Sequence, residues 1–161
     1  MTDLVDIQLA DGSAKTPDAQ QIRAWVAAVF TALERSPLVL TVRVVGEEEM
    51  VKLNRRYRGR NQPTNVLSFP IESLPGIHTD LLGDIVVCGP VVDREAAIQH
   101  KSPIGHWAHM VVHGLLHLFG YDHESDQDAT AMEALETSVL EGLGYSDPYQ
   151  GEHDSGTDSR A

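Results

Sequence analysis

The sequence predicts an α/β (α+β) fold. It describes one domain with a small mixed sheet of about four strands, packed with about five helices, and a metal site on a late helix. Three observations carry this reading. Short runs at 4–9, 38–46, 64–70 and 81–89 are β-branched or alternate between apolar and polar residues. Stretches at 17–35, 47–59, 90–100, 103–120 and 126–144 read as helices from apolar spacing and from start and stop residues. The two kinds alternate early in the chain, and the helices cluster late.

Each element has its own local reason. "LVDIQL" (4–9) alternates as a half-buried strand does. In 17–35, Pro17 suits a first helical turn, and Ile22, Trp25, Val26, Val29, Phe30 and Leu33 recur on one face. "LVLTVRVVG" (38–46) is rich in β-branched residues. The helix over 47–59 has acids at its start, basic residues at its end and Gly59 as its stop, which suits the helix dipole. Pro70 ends the strand "TNVLSFP", and "IESLPGIHTD" reads as a loop. "LLGDIVVCG" (81–89) is a fourth strand, with Cys88 as a small buried core residue. Pro90 opens the next helix, Gly120 stops the one after it and Gly144 closes the last. Residues 1–148 form a single catalytic metal-binding domain on this reading, and 149–161 form a polar tail expected to be disordered.

Composition narrows the function classes. No apolar run approaches the roughly 18 residues of a membrane span. The N-terminus lacks a basic stretch followed by an apolar core, so no secretory signal is expected. The chain has a single cysteine, Cys88, which cannot form an internal disulfide. Together these favour a cytoplasmic protein. A net charge of −12 argues against sequence-blind nucleic-acid binding over the whole surface. The charge is uneven, however. Lys52, Arg55, Arg56, Arg58 and Arg60 crowd one short segment, whereas Tyr121 to Glu141 holds seven acids and no Lys or Arg. That basic segment is either a site for one anionic ligand or a solvated helix face.

"HMVVHGLLHLFGYDH" (109–123) holds four of the eight histidines. Helical positions four apart differ by about 40° in direction, so His113 and His117 project from one face. Gly120 lets the backbone leave the helix, and His123 follows three residues later. The spacing H-x-x-x-H-x-x-G-x-x-H thus offers three imidazoles to one ion at about 2.0–2.1 Å and leaves a fourth tetrahedral position open, as in catalytic zinc sites. One Zn2+ per chain, held by His113, His117 and His123, is the expected cofactor. His109 lies roughly 12 Å along the axis from His117, too far to share that ion, and reads as a pocket or core histidine. His106 and His100 read as surface residues, and His78 and His153 fall in loop and tail.

Zinc proteases carry H-E-x-x-H-x-x-G-x-x-H, with the glutamate as proton carrier. Here that position is Gly114, which cannot move a proton. Zinc can still bring the pKa of water to about 7 and polarise an oxygen. Phosphodiester chemistry would need a cation nearby, and the 52–60 segment can supply one.

"RRYRGRNQPTNVLSFP" (55–70), "LGDIVV" (82–87) and "HMVVHGLLHLFGYDH" together resemble the YbeY family of bacterial endoribonucleases, also called rRNA maturation factors. The resemblance covers roughly 40–146 and keeps the motifs in order. It implies a single α/β domain with a mixed four-stranded sheet. It implies zinc on His113, His117 and His123, and Arg58 in "YRGR" as the arginine required for activity. It implies single-strand-specific RNA cleavage in 16S rRNA 3′-end processing and 70S ribosome quality control, with RNA and the ribosome or ribosomal proteins as partners.

Several residue roles have two readings at this level. Arg58 either stabilises charge on a phosphoryl group or bonds the carbonyls that end its helix. Arg55, Arg56 and Arg60 are candidates to guide an RNA backbone. Asn65 and Ser68 either face the cleft or serve turn and strand hydrogen bonding. Asp122 either orients an imidazole or faces solvent in a turn. Two other functions compete with the nuclease: a zinc hydrolase of another bond, and a non-enzymatic ribosome assembly factor whose zinc only stabilises the fold.

Overall fold

A computed structural model of the chain describes residues 5–10, 16–71, 81–122 and 124–149. In chain order the elements are β1 (Val5–Leu9), α1 (Ala19–Ala32), β2 (Val39–Val45), α2 (Glu47–Arg58), β3 (Val66–Pro70), β4 (Leu81–Cys88), α3 (Gly89–Ile98), α4 (Pro103–Leu118) and α5 (Asp126–Gly142). The strands form one sheet in the order β1-β2-β4-β3. β1, β2 and β4 run parallel, with Ile7 opposite Val42 and Val42 opposite Ile85. β3 is antiparallel to β4, with Ser68 opposite Ile85. The small mixed sheet with five helices is therefore the architecture the sequence predicts, and only element ends differ.

One of those ends has a clear physical cause. Pro17 does not lie in the first turn of α1. Asp18 caps that helix by accepting from the Gln21 N–H at 2.8 Å, while the Gln21 side chain accepts from the Asp18 N–H at 3.1 Å. This reciprocal pair starts the helix after Asp18, so Pro17 precedes the cap.

The period-two alternation of the strands sorts the core into two clusters. Leu40, Val42, Val44, Ile85 and Val87 point into the larger one, where they meet Ile22, Trp25, Val26 and Val29 of α1, the apolar face of α4, and Met132 and Leu140 of α5. Val45, Val86 and Cys88 point the other way, onto Met50 of α2. Cys88 is a free, buried thiol, as expected. β4 is thus apolar on both faces over Ile85–Cys88, as parallel strands covered on two sides are.

α4 touches α1, α3, α5, β3 and β4. Eleven of its 16 residues are buried, among them Trp107, whose indole N–H bonds to Asp93 at 2.8 Å. Such a helix is held from every side, which makes it a rigid carrier for side chains at its margins.

Candidate metal centre

α4 ends in a Schellman motif. The Gly120 N–H bonds to the His117 carbonyl at 3.0 Å and the Tyr121 N–H to the Leu116 carbonyl at 3.1 Å. Gly120 has φ +98°, a conformation that L side chains rarely adopt, and it turns the chain out of the helix where the sequence requires it to. One turn earlier, the His113 and His117 rings stand 4.5 Å apart between centroids, with their Nε2 atoms 3.1 Å apart. Two ligands about 2.0–2.1 Å from one tetrahedral ion would be separated by about 3.3 Å, so this pair fits a metal ion. His123, the third expected ligand, lies outside the described residues.

The other nitrogen of His113 faces a group that the sequence reading missed. Nδ1 lies 3.3 and 3.4 Å from the carboxylate oxygens of Glu136 on α5. Glu136 is fully buried and also bonds to His109 Nε2 at 2.6 Å and to the Tyr149 hydroxyl at 3.0 Å. His109, His113 and Glu136 place one donor atom each within 4.8 Å of one another and could hold a metal ion. The two groupings share His113, one through each ring nitrogen. Burial alone would push the Glu136 carboxyl up, but hydrogen bonds from His109 and His113, and the pull of both rings, bring it down to about 2. Burial holds His109 below the ordinary imidazole range despite the opposing effect of Glu136. At neutral pH Glu136 is therefore a carboxylate that accepts hydrogen bonds.

His113 and His117 line a cleft of about 600 Å³ together with Arg58, Thr64, Asn65, Ser68 and Glu124. Arg58 is the last residue of α2, exposed, and held by no side-chain hydrogen bond or ion pair among the described residues. The cleft thus joins five of the nine residues singled out from the sequence: Arg58, Asn65, Ser68, His113 and His117. Ser68 donates its hydroxyl to the Gly114 carbonyl at 2.8 Å, which ties the cleft wall to α4. Asn65 donates to Glu95 at 3.2 and 3.3 Å and accepts from the Val66 N–H at 2.7 Å. Arg55, Arg56 and Arg60 do not line the cleft. They are exposed at the end of α2, with Arg55 on Asn61 at 2.8 Å and Arg56 over the Tyr57 ring.

Three further placements refine the sequence reading. His106 is not a surface residue. It is buried and its Nε2 lies 2.9 Å from Glu95, because position 106 falls on the side of α4 that meets α3. Asp122 accepts from the Glu124 N–H at 3.1 Å and so acts in a backbone turn. Gly114 has no room for a side chain: a Cβ would stand 2.9 Å from Ile85 Cγ2 and 3.1 Å from Val66 Cγ2. The protease glutamate cannot be built on this helix without moving it off the sheet.

Glu136 did leave a trace in the sequence. It sits on the helical stripe of Met132, Val139 and Leu140, all buried, where an apolar residue would be ordinary. Tyr149 was the first residue assigned to the polar tail, yet its hydroxyl reaches this network.

The fold and cleft define an α/β domain that can hold a metal ion on its central helix, beside a cleft that also contains an exposed guanidinium. Residues 7–144 match the sequence model of the family described as Endoribonuclease YbeY. The Endoribonuclease YbeY of Halorhodospira halophila (strain DSM 244 / SL1) is 55% identical over 140 residues, covering 85% of this chain and 90% of the relative. The solution structure of TM1509 from Thermotoga maritima superposes with a TM-score of 0.60 at 26% identity, covering 98% of this chain and 95% of that one. The chain belongs to the YbeY endoribonuclease family, and it is an enzyme of the nuclease class that acts on RNA phosphodiester bonds. No helix among the described residues is long and apolar enough to cross a membrane.

Proposed function

We propose that this protein is a zinc-dependent, single-strand-specific endoribonuclease of the cytoplasm, acting in 16S rRNA 3′-end maturation and ribosome quality control. The observation that carries the reading is the cleft in which Arg58 meets His113 and His117. His113, His117 and His123 would hold one zinc ion per chain, since an all-imidazole set suits zinc. When bound, the ion supplies Lewis acidity to a phosphoryl oxygen or to the attacking oxygen. Arg58 binds the scissile phosphate through its planar fork and stabilises the charge that grows on the phosphoryl oxygens. Asn65 and Ser68 have their polar groups already engaged by Glu95 and Gly114, so they give the substrate path a firm wall. Arg55, Arg56 and Arg60 steer the RNA backbone towards the cleft, while the acidic remainder of the surface suits ribosomal protein partners.

Incubation of the purified chain with single-stranded and duplex RNA, with and without chelator, tests this. Cleavage of the single strand alone, lost with chelator and restored by zinc, is the expected result. A His113→Ala preparation must be inactive; activity there would mean a contaminating nuclease. Equal cutting with and without chelator overturns the zinc reading. A 2′,3′-cyclic phosphate on the product would assign the attack to the RNA 2′-hydroxyl, and a plain 5′-phosphate would exclude that route.

A further inference from the structure

Glu136 stands at a core position of α5 with no exposure to solvent. A buried carboxylate is costly unless its oxygens are well occupied. Here three donors occupy them, from α4 and the segment after α5: His109 Nε2 at 2.6 Å, His113 Nδ1 at 3.3 and 3.4 Å, and the Tyr149 hydroxyl at 3.0 Å. An ionised carboxylate only accepts hydrogen bonds, so each of these atoms must carry its proton. For His113 this puts an N–H at Nδ1, facing Glu136, and turns Nε2 towards the cleft. Nε2 is the atom beside His117 Nε2 in the cleft. The 2.6 Å between His109 and Glu136 is a direct hydrogen-bond length, well short of the roughly 3.3 Å between two ligands of one tetrahedral ion. Glu136 therefore sits behind the ligand rather than among the ligands.

We propose that Glu136 is a positioning residue of the metal centre: it holds His113 with the Nε2 lone pair presented to the cleft, and His109 and Tyr149 hold Glu136 in place. The inference rests on the reading of His113 as a metal ligand. It extends the centre to the Tyr149 segment and gives buried His109 a task.

The test uses the full chain, with proton–nitrogen correlation spectra of the histidine rings in the metal-free protein and zinc titration against a competing chelator. In the unmodified chain His113 should carry its proton on Nδ1; a proton on Nε2 overturns the proposal without any variant. Glu136→Gln keeps the size but offers one acceptor oxygen and an amide donor, so His109 and His113 can no longer both be served. Zinc affinity should fall about 10- to 100-fold, and the His113 ring should become a mixture of tautomers. Wild-type affinity and spectrum in folded Glu136→Gln would show the carboxylate is merely a core group. If that variant fails to fold, Tyr149→Phe, which removes one donor and no volume of consequence, should still weaken zinc several-fold; unchanged affinity there overturns the proposal. RNA cleavage is not a readout. A zinc-binding chain that cuts no RNA would sink the nuclease reading and leave this inference standing.

Discussion

Gly114 and Arg58 act at the scale of single atoms. Gly114→Ala gains about 1 kcal/mol of helix propensity, but its methyl would press on Ile85 Cγ2 at 2.9 Å, in a contact where α4 is trapped against the sheet. Overpacking of this kind costs about 1–3 kcal/mol, so the net expectation is a lower melting temperature, and Gly114→Glu should not fold. A melt that rises in Gly114→Ala would show that the helix can move off the sheet. Arg58 is the opposite case, exposed and without a side-chain hydrogen bond or ion pair among the described residues. Arg58→Glu should abolish RNA cleavage with zinc content unchanged and a loss of stability no larger than the dipole penalty of an acid at a helix C-terminus, about 0.3–1 kcal/mol. Larger destabilisation would give the arginine a structural task instead.

At the scale of elements, α4 and its exit are the carrier of the site. The Schellman turn at Gly120 releases the chain three residues before His123. Gly120→Ala forces a Cβ into φ +98°, which costs about 1–2 kcal/mol. The expected result is a lower melt together with weaker zinc binding, read by chelator competition; a destabilised variant with wild-type zinc affinity would separate this turn from the metal centre. The pairing of His113 with His117 was legible because it is local: four residues of helix bring two rings together whatever the surroundings. Glu136 lies 23 residues from His113 on another helix, and its place on an apolar stripe does not say which residue it faces. His106 was misplaced for the same reason. Its exposure depends on where α3 packs, and helical spacing within α4 does not contain that information.

At the scale of the whole molecule, two buried or half-buried carboxylates couple folding to acid. For both Glu95 and Glu136, burial would raise the pKa. Hydrogen bonds from His106 and Asn65 to Glu95, and from His109 and His113 to Glu136, win and lower it. A folded value below the ordinary 4.5 means that the native state binds its proton later than the unfolded chain. The stabilisation is therefore complete above pH 4.5 and is lost as pH falls through the folded values, about 2 for Glu136. Denaturant unfolding between pH 6 and 2 should show stability declining as pH falls, with buried His109 contributing from the start of the range and the two carboxylates below about pH 4.5, and Glu136→Gln should flatten part of the later decline. Constant stability over the range would contradict the ionised, hydrogen-bonded state of both groups.

The order and type of every described element, the mixed sheet, the His113–His117 pair and the exit at Gly120 were determined by the sequence alone, because each follows from periodicity, caps and steric limits within a few residues. What covers the ends of those elements was decided by tertiary structure. Packing α4 against β3, with Arg58 at the rim, makes Arg58, Asn65, Ser68 and the two histidines one cleft. Packing α5 and the Tyr149 segment against the other side of α4 puts a carboxylate behind His113. Contacts of that kind join residues far apart in the chain, and their energy depends on distances of a few tenths of an ångström that no local pattern encodes.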